Sequence, residues 1–178
     1  MVSHKALAAT AAATLACHPL AAAAQQSCVT EEEVSAIAIY SVPGLVQAVR
    51  LRCGSELSPS GYLARQGDTL TTRYVAIQPR VWPRAKSGLL KVLAVKSSQG
   101  SQNLDMLGNL PDNAVRPLVD ALIVQELSPK IATRNCGRIE RAMQVAAPID
   151  PEVAGTLLGV VAGIVNPDQL PVCPVRRS

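Results

Sequence analysis

Residues 150–165 read DPEVAGTLLGVVAGIV, the most apolar run after the N-terminus, with Cys136 before it and Cys173 after it. Asp150 is placed to cap a helix, Pro151 falls at the first helical position where its missing N–H costs nothing, and Glu152 adds negative charge to the first turn. From Val153 to Val165 no residue is charged and only Thr156 has a polar side chain. Such a helix has no wet stripe, so it is expected at the centre of the fold, buried nearly all round. Gly155, Gly159 and Gly163 recur every four residues and form one smooth face for close helix packing. The alternative is a membrane-active segment, but the run is shorter than the roughly 20 residues a spanning helix needs.

Working outward, the first 24 residues carry His4 and Lys5, an Ala/Leu-rich run and Ala22-Ala23-Ala24 before Gln25. This is the pattern of a secretory signal, leaving 25–178 as one domain with a Pro-rich tail over 166–178. A rival processing site at Leu15-Ala16-Cys17 would give a lipoprotein anchored at Cys17, although Thr14 stands where an aliphatic residue is preferred. Export to the periplasm or the exterior makes the remaining Cys28, Cys53, Cys136 and Cys173 an even set that implies two disulfides. Three connectivities are open. Sequential pairing, Cys28 with Cys53 and Cys136 with Cys173, is the reading adopted because each pair brackets a helical unit.

Loss of the signal also removes both histidines, His4 and His18. That excludes a Ser-His-Asp triad, a Cys-His pair and a histidine metal site. Without Lys5 the chain holds sixteen basic against thirteen acidic residues, a net charge of about +3, too mild for a nucleic-acid binder. There is no Phe, and Tyr40, Tyr62, Tyr74 and Trp82 are the only aromatics. The core must therefore come from Leu, Val, Ile and Ala.

Thr30-Glu31-Glu32-Glu33 is a capping box with acids in the first turn, and Val34, Ile37 and Ala38 follow at helical spacing. Pro43-Gly44 is expected to break or kink that helix, with a second segment running to Cys53 and Gly54. Leu70, Tyr74, Ile77 and Val81 predict a further helix, ending near Gln78 and restarting around Pro83 because Pro79 and Pro83 each remove a donor. Residues 97–103, SSQGSQN, read as a polar loop open to proteolysis. Val115, Leu118, Val119 and Leu122 mark the next helix, Ser128-Pro129 opens a short one, and Asn135 is placed to cap another. The sum is an all-α single domain of six or seven short helices around the buried C-terminal helix, stapled by two disulfides.

No catalytic motif, cofactor loop, calcium loop or metal-ligand spacing is present. The most suggestive cluster is Arg65, Arg73, Arg80, Arg84, Lys86, Lys91 and Lys96, interleaved with Tyr62, Tyr74 and Trp82. It reads either as a solvated face or as an anion-binding surface for lipid headgroup, lipopolysaccharide or acidic polymer, with Trp82 at its rim. Among the acids Glu33, Glu56, Asp105 and Asp112, no spacing singles out a catalytic pair. The expected function is thus a non-catalytic binding or structural module, without cofactor or metal. Its partner is an unknown protein or an anionic envelope component; nucleic acid and a membrane span after signal removal are not expected.

Overall fold

The computed structural model describes residues 28–96, 108–165, 167 and 170–174. The proposed signal, Cys17, the polar loop over 97–103 and Asp105 lie outside the described residues, as does the side chain of Lys96. Among the described residues five bounded α-helices follow in order: α1 (Glu31–Cys53), α2 (Tyr62–Lys96), α3 (Asp112–Leu127), α4 (Cys136–Ala146) and α5 (Pro151–Val165). Two 3-10 turns, Ser128–Lys130 and Thr133–Asn135, join α3 to α4. The fold is all-helical, and the described extended backbone pairs only at an isolated parallel bridge between Val29 and Val172.

The central helix is α1, which packs against α2, α3 and α5. It starts where the capping box places it: Thr30 Oγ1 accepts from the Glu33 N–H at 3.2 Å, and Glu33 Oε2 accepts from the Thr30 N–H at 2.9 Å. The core joins Ile39, Tyr40, Val46 and Val49 of α1 to Leu63, Tyr74 and Trp82 of α2 and Val115 of α3. Enclosure on three sides explains why α1 is apolar enough by length and composition to cross a bilayer, with a mean hydropathy of 1.4 over 18 residues.

Three expectations are corrected by this arrangement. The C-terminal helix α5 is not the buried centre: Pro151, Gly155 and Gly159 are buried, whereas Leu157 is 55% exposed and Ile164 77%. It meets α1 along one face and nothing described covers the other. Next, the first two helices are longer than expected, because α1 runs through Pro43 and α2 through both Pro79 and Pro83, reaching 35 residues. Pro79 and Pro83 leave the carbonyls of Val75 and Pro79 without their intrahelical donors, and all three residues are on the exposed side of α2, where solvent has access. In α1, Gln78 Nε2 donates to the Tyr40 carbonyl at 3.0 Å, tying α2 to α1 three residues before Pro43.

The third correction is the disulfide connectivity. Cys28 pairs with Cys173 and Cys53 with Cys136, a nested rather than sequential pattern. The unbroken α1 is the reason: at 1.5 Å per residue it holds its two ends roughly 35 Å apart, far beyond the ~7 Å that a disulfide tolerates between Cα atoms. Cys53 instead meets the start of α4, and both its cysteines are buried. Cys28 holds the tail, where the Val29 N–H donates to the Pro171 carbonyl at 2.7 Å and the Cys173 N–H to the Val29 carbonyl at 2.9 Å. The bonds close loops with sequence separations of 145 and 83, each worth roughly 4–5 kcal/mol on a chain-entropy basis, though nesting makes them non-independent.

Two measurements check this architecture. Non-reducing peptide mapping is expected to find Cys28–Cys173 and Cys53–Cys136 links, and reduction to lower Tm by well over 10 °C. A Cβ on Gly159 would sit 2.5 Å from the Glu31 carbonyl oxygen, whereas one on Gly137 meets nothing within 4 Å. Gly159→Ala is therefore expected to destabilise by about 1–3 kcal/mol and Gly137→Ala to be neutral or stabilising by up to about 1 kcal/mol, read from denaturant melts.

Candidate interaction surface

Asp150 Oδ1 accepts from the backbone N–H groups of Glu152 at 2.9 Å and Val153 at 3.3 Å, so the N-cap forms as the sequence implies. Gly155 then faces Ile39 and Ser35 of α1, Gly159 faces the Glu31 backbone and Gly163 the Glu31 side chain. The glycine face thus serves an intramolecular neighbour. On the opposite side stand Val153, Leu157, Leu158, Val160, Val161, Ile164 and Val165, each between 42% and 77% exposed. At 100° per residue these positions sweep roughly 160° of the helix surface. An uncharged sector of that width on one helix is the most unusual surface feature in the described molecule, since scattered exposed apolar residues are ordinary but contiguous ones are not.

The continuous α2 brings Arg73, Arg80, Arg84 and Lys91 onto one side, because spacings of 7, 4 and 7 residues return to nearly the same azimuth. Most of their charge has internal partners. Arg73 donates to the Ala147 and Ile149 carbonyls at the end of α4, Arg80 pairs with Glu152, and Lys91 reaches Glu33. Lys86 faces the other way and bonds Asp112 at 3.1 Å and the Leu110 carbonyl at 3.2 Å. The side chains of Arg65 and Arg84 are exposed and have no ion-pair or hydrogen-bond partner among the described residues. Arg73, Arg80, Lys86 and Lys91 are thus drawn to four separate internal partners.

Trp82 does not sit at a rim. It is 1% exposed, tilted against Tyr40 at 4.9 Å between ring centroids, with the Arg116 guanidinium 5.1 Å over its ring. Its Nε1 is buried without a hydrogen-bond partner of normal geometry. Asp112 nearby is held below the usual carboxylate range by that indole N–H and by Lys86. Burial, with the Asp120 carboxylate beside it, pushes the Tyr40 hydroxyl well above its ordinary value, and burial raises Tyr74 as well. Neither tyrosine is poised for acid/base chemistry at neutral pH.

Glu33 is the buried acid of the core. Besides its capping role it accepts from Ser87 Oγ at 2.6 Å and Lys91 Nζ at 2.8 Å. Burial alone would raise its carboxyl pKa; the bonds from Lys91, Ser87 and the Thr30 N–H outweigh that and leave it lowered. The capping box was legible in the sequence, but Lys91 lies 58 residues away and nothing local announced it. The other acids considered as catalytic stand apart: Glu56 accepts from Ser55 in the turn after α1, and Asp112 is tied to Lys86.

Two open grooves among the described residues border these groups. One, of about 320 Å³ between α1, α2 and α5, has Ile39 and Val160 among its apolar walls and Glu31, Glu32, Glu152 and Arg84 among its polar ones. The other, of about 350 Å³ between α1, α2 and α3, includes Gln47, Gln78 and the Arg50–Asp68 pair. Among the described residues no three His, Cys, Asp or Glu side chains are grouped to hold a metal. Comparison with protein-family models, curated proteins and solved structures finds no match.

The Glu33 network predicts an acid-sensitive fold. A carboxyl whose pKa is depressed on folding contributes stability above its unfolded value of 4.5, and loses it as pH falls through the lower folded value. Melting between about pH 7 and pH 3 is expected to show Tm falling below about pH 4.5. Glu33→Gln is expected to be less stable by about 1–3 kcal/mol at pH 7 and to lose part of that pH dependence.

Proposed function

We propose that this chain is an exported, non-catalytic helical module that acts by packing the outer face of α5 against a partner. The observation that carries this reading is the exposed face from Val153 to Val165, seven large apolar side chains with no charge among them. Contiguous apolar surface of this kind is typical of interaction sites. Two disulfides agree with an oxidising compartment, and the apolar N-terminal run supplies the export signal. The internal partners of Arg73, Arg80, Lys86 and Lys91 favour packing over capture of an anionic lipid or polymer.

The test is position-specific photo-crosslinking in the exporting cell. A photoreactive residue at Leu157 is expected to give a discrete adduct, and one at the exposed α2 position Gln66 none. No adduct at Leu157, Val161 or Ile164 would overturn the packing reading. Salt-sensitive binding of the purified protein to anionic vesicles, unaffected by Leu157→Ser, would replace it with the electrostatic one.

A further inference from the structure

Resting on the packing reading, we infer that the partner of the α5 face is a second copy of this chain, docked as an antiparallel α5–α5 pair. Area is the first argument. Seven side chains exposed by about half or more leave on the order of 600 Å² of apolar surface on one helix, at the upper limit for the largest patch of a typical monomer. Ile149, 38% exposed and four residues ahead of Val153, and Val145, 69% exposed, add surface at the α4–α5 corner. The total approaches the roughly 800 Å² per partner of a standard stable interface.

Charge placement is the second argument, and it selects both the partner and the direction. Asp150 stands at the head of the apolar sector at the start of α5, while Glu152 lies on the inner side paired with Arg80, and Glu31 and Glu32 stand across a groove that they share with Arg84. An anionic bilayer would meet the Asp150 carboxylate, whereas a second α5 meets an uncharged face. In a parallel pair the Asp150 carboxylates and the like-charged helix ends of both copies would lie together. An antiparallel pair separates them by the length of the helix, opposes the two helix dipoles so that each positive N-terminus lies by the other copy's negative C-terminus, and meets last turns that carry no charged side chain. The pair then closes on a two-fold axis with the same patch on both sides. Centring the apolar sector puts Leu157 beside the partner's Val161 and Val153 beside the partner's Ile164.

Sedimentation of the oxidised full chain, from about 1 to 100 µM, tests this. The expected result is a dimer that Leu157→Glu weakens at least roughly 30-fold while Tm of the separated monomer is unchanged, since Leu157 faces water. Val153→Lys and Ile164→Glu are each expected to weaken the dimer, and the two together in one chain to recover much of it, because only antiparallel docking brings Lys against Glu. A wild-type chain that stays monomeric at about 100 µM overturns the proposal, as does a Leu157→Glu variant that dimerises normally. The photo-crosslinked adduct separates this failure from that of the parent reading. A mass of two chains supports self-docking, a heavier or lighter adduct containing another protein overturns it while packing stands, and no adduct removes both.

Discussion

Everything else in the structure is arranged about an uninterrupted α1. Its capped start and its disulfide-bonded end are held far apart by the helix itself, so each end recruits a different part of the chain. At the first end Cys28 and Val29 gather the tail through a disulfide and two backbone hydrogen bonds, over a small cluster of Val29, Val34 and Val172. At the other, Cys53 anchors α4 through Cys136, with both sulfurs out of water. The two bonds bind residues far apart in sequence, which constrains the unfolded chain more than short loops would.

The polar residues of α2 do structural work along the same axis. Glu33 lies in the core side of α1, and an unpaired carboxylate there would cost several kcal/mol, so Lys91 and Ser87 are required one helix away. Arg73 satisfies carbonyls where α4 ends, and Arg80 ties the first turn of α5 to α2. A segment that is basic in composition is therefore a set of brackets between helices, leaving Arg65 and Arg84 as the cations of the cluster whose described surroundings hold no partner.

The glycines of α5 explain how an apolar helix comes to be exposed. Small residues let α5 lie close on α1, with the Glu31 carbonyl oxygen 2.5 Å from where a Gly159 Cβ would be. Close approach by one narrow face leaves the bulky Val, Leu and Ile positions pointing away. Burying them needs a further surface, which is why the packing and self-docking readings rest on this helix.

Local signals were legible in the residues themselves: the Thr30–Glu33 capping box, the Asp150-Pro151 helix start, a short helix opening at Ser128-Pro129, which forms as a 3-10 turn, and the all-helical class. Each depends on contacts within four residues, where spacing carries the whole geometry. Asn135 is the exception, since it starts α4 without a side-chain cap. The tertiary structure alone decided the rest. Whether Pro43, Pro79 and Pro83 end a helix depends on whether the carbonyl one turn back can find another donor or solvent, and on how much buried surface the continuing helix retains. Hydrophobicity marks α5 as a helix that wants cover but does not say whether its own chain supplies it. Cysteine count implies two disulfides, while their partners follow from the distance between the ends of α1, a length that exists only once the helix is known to be unbroken.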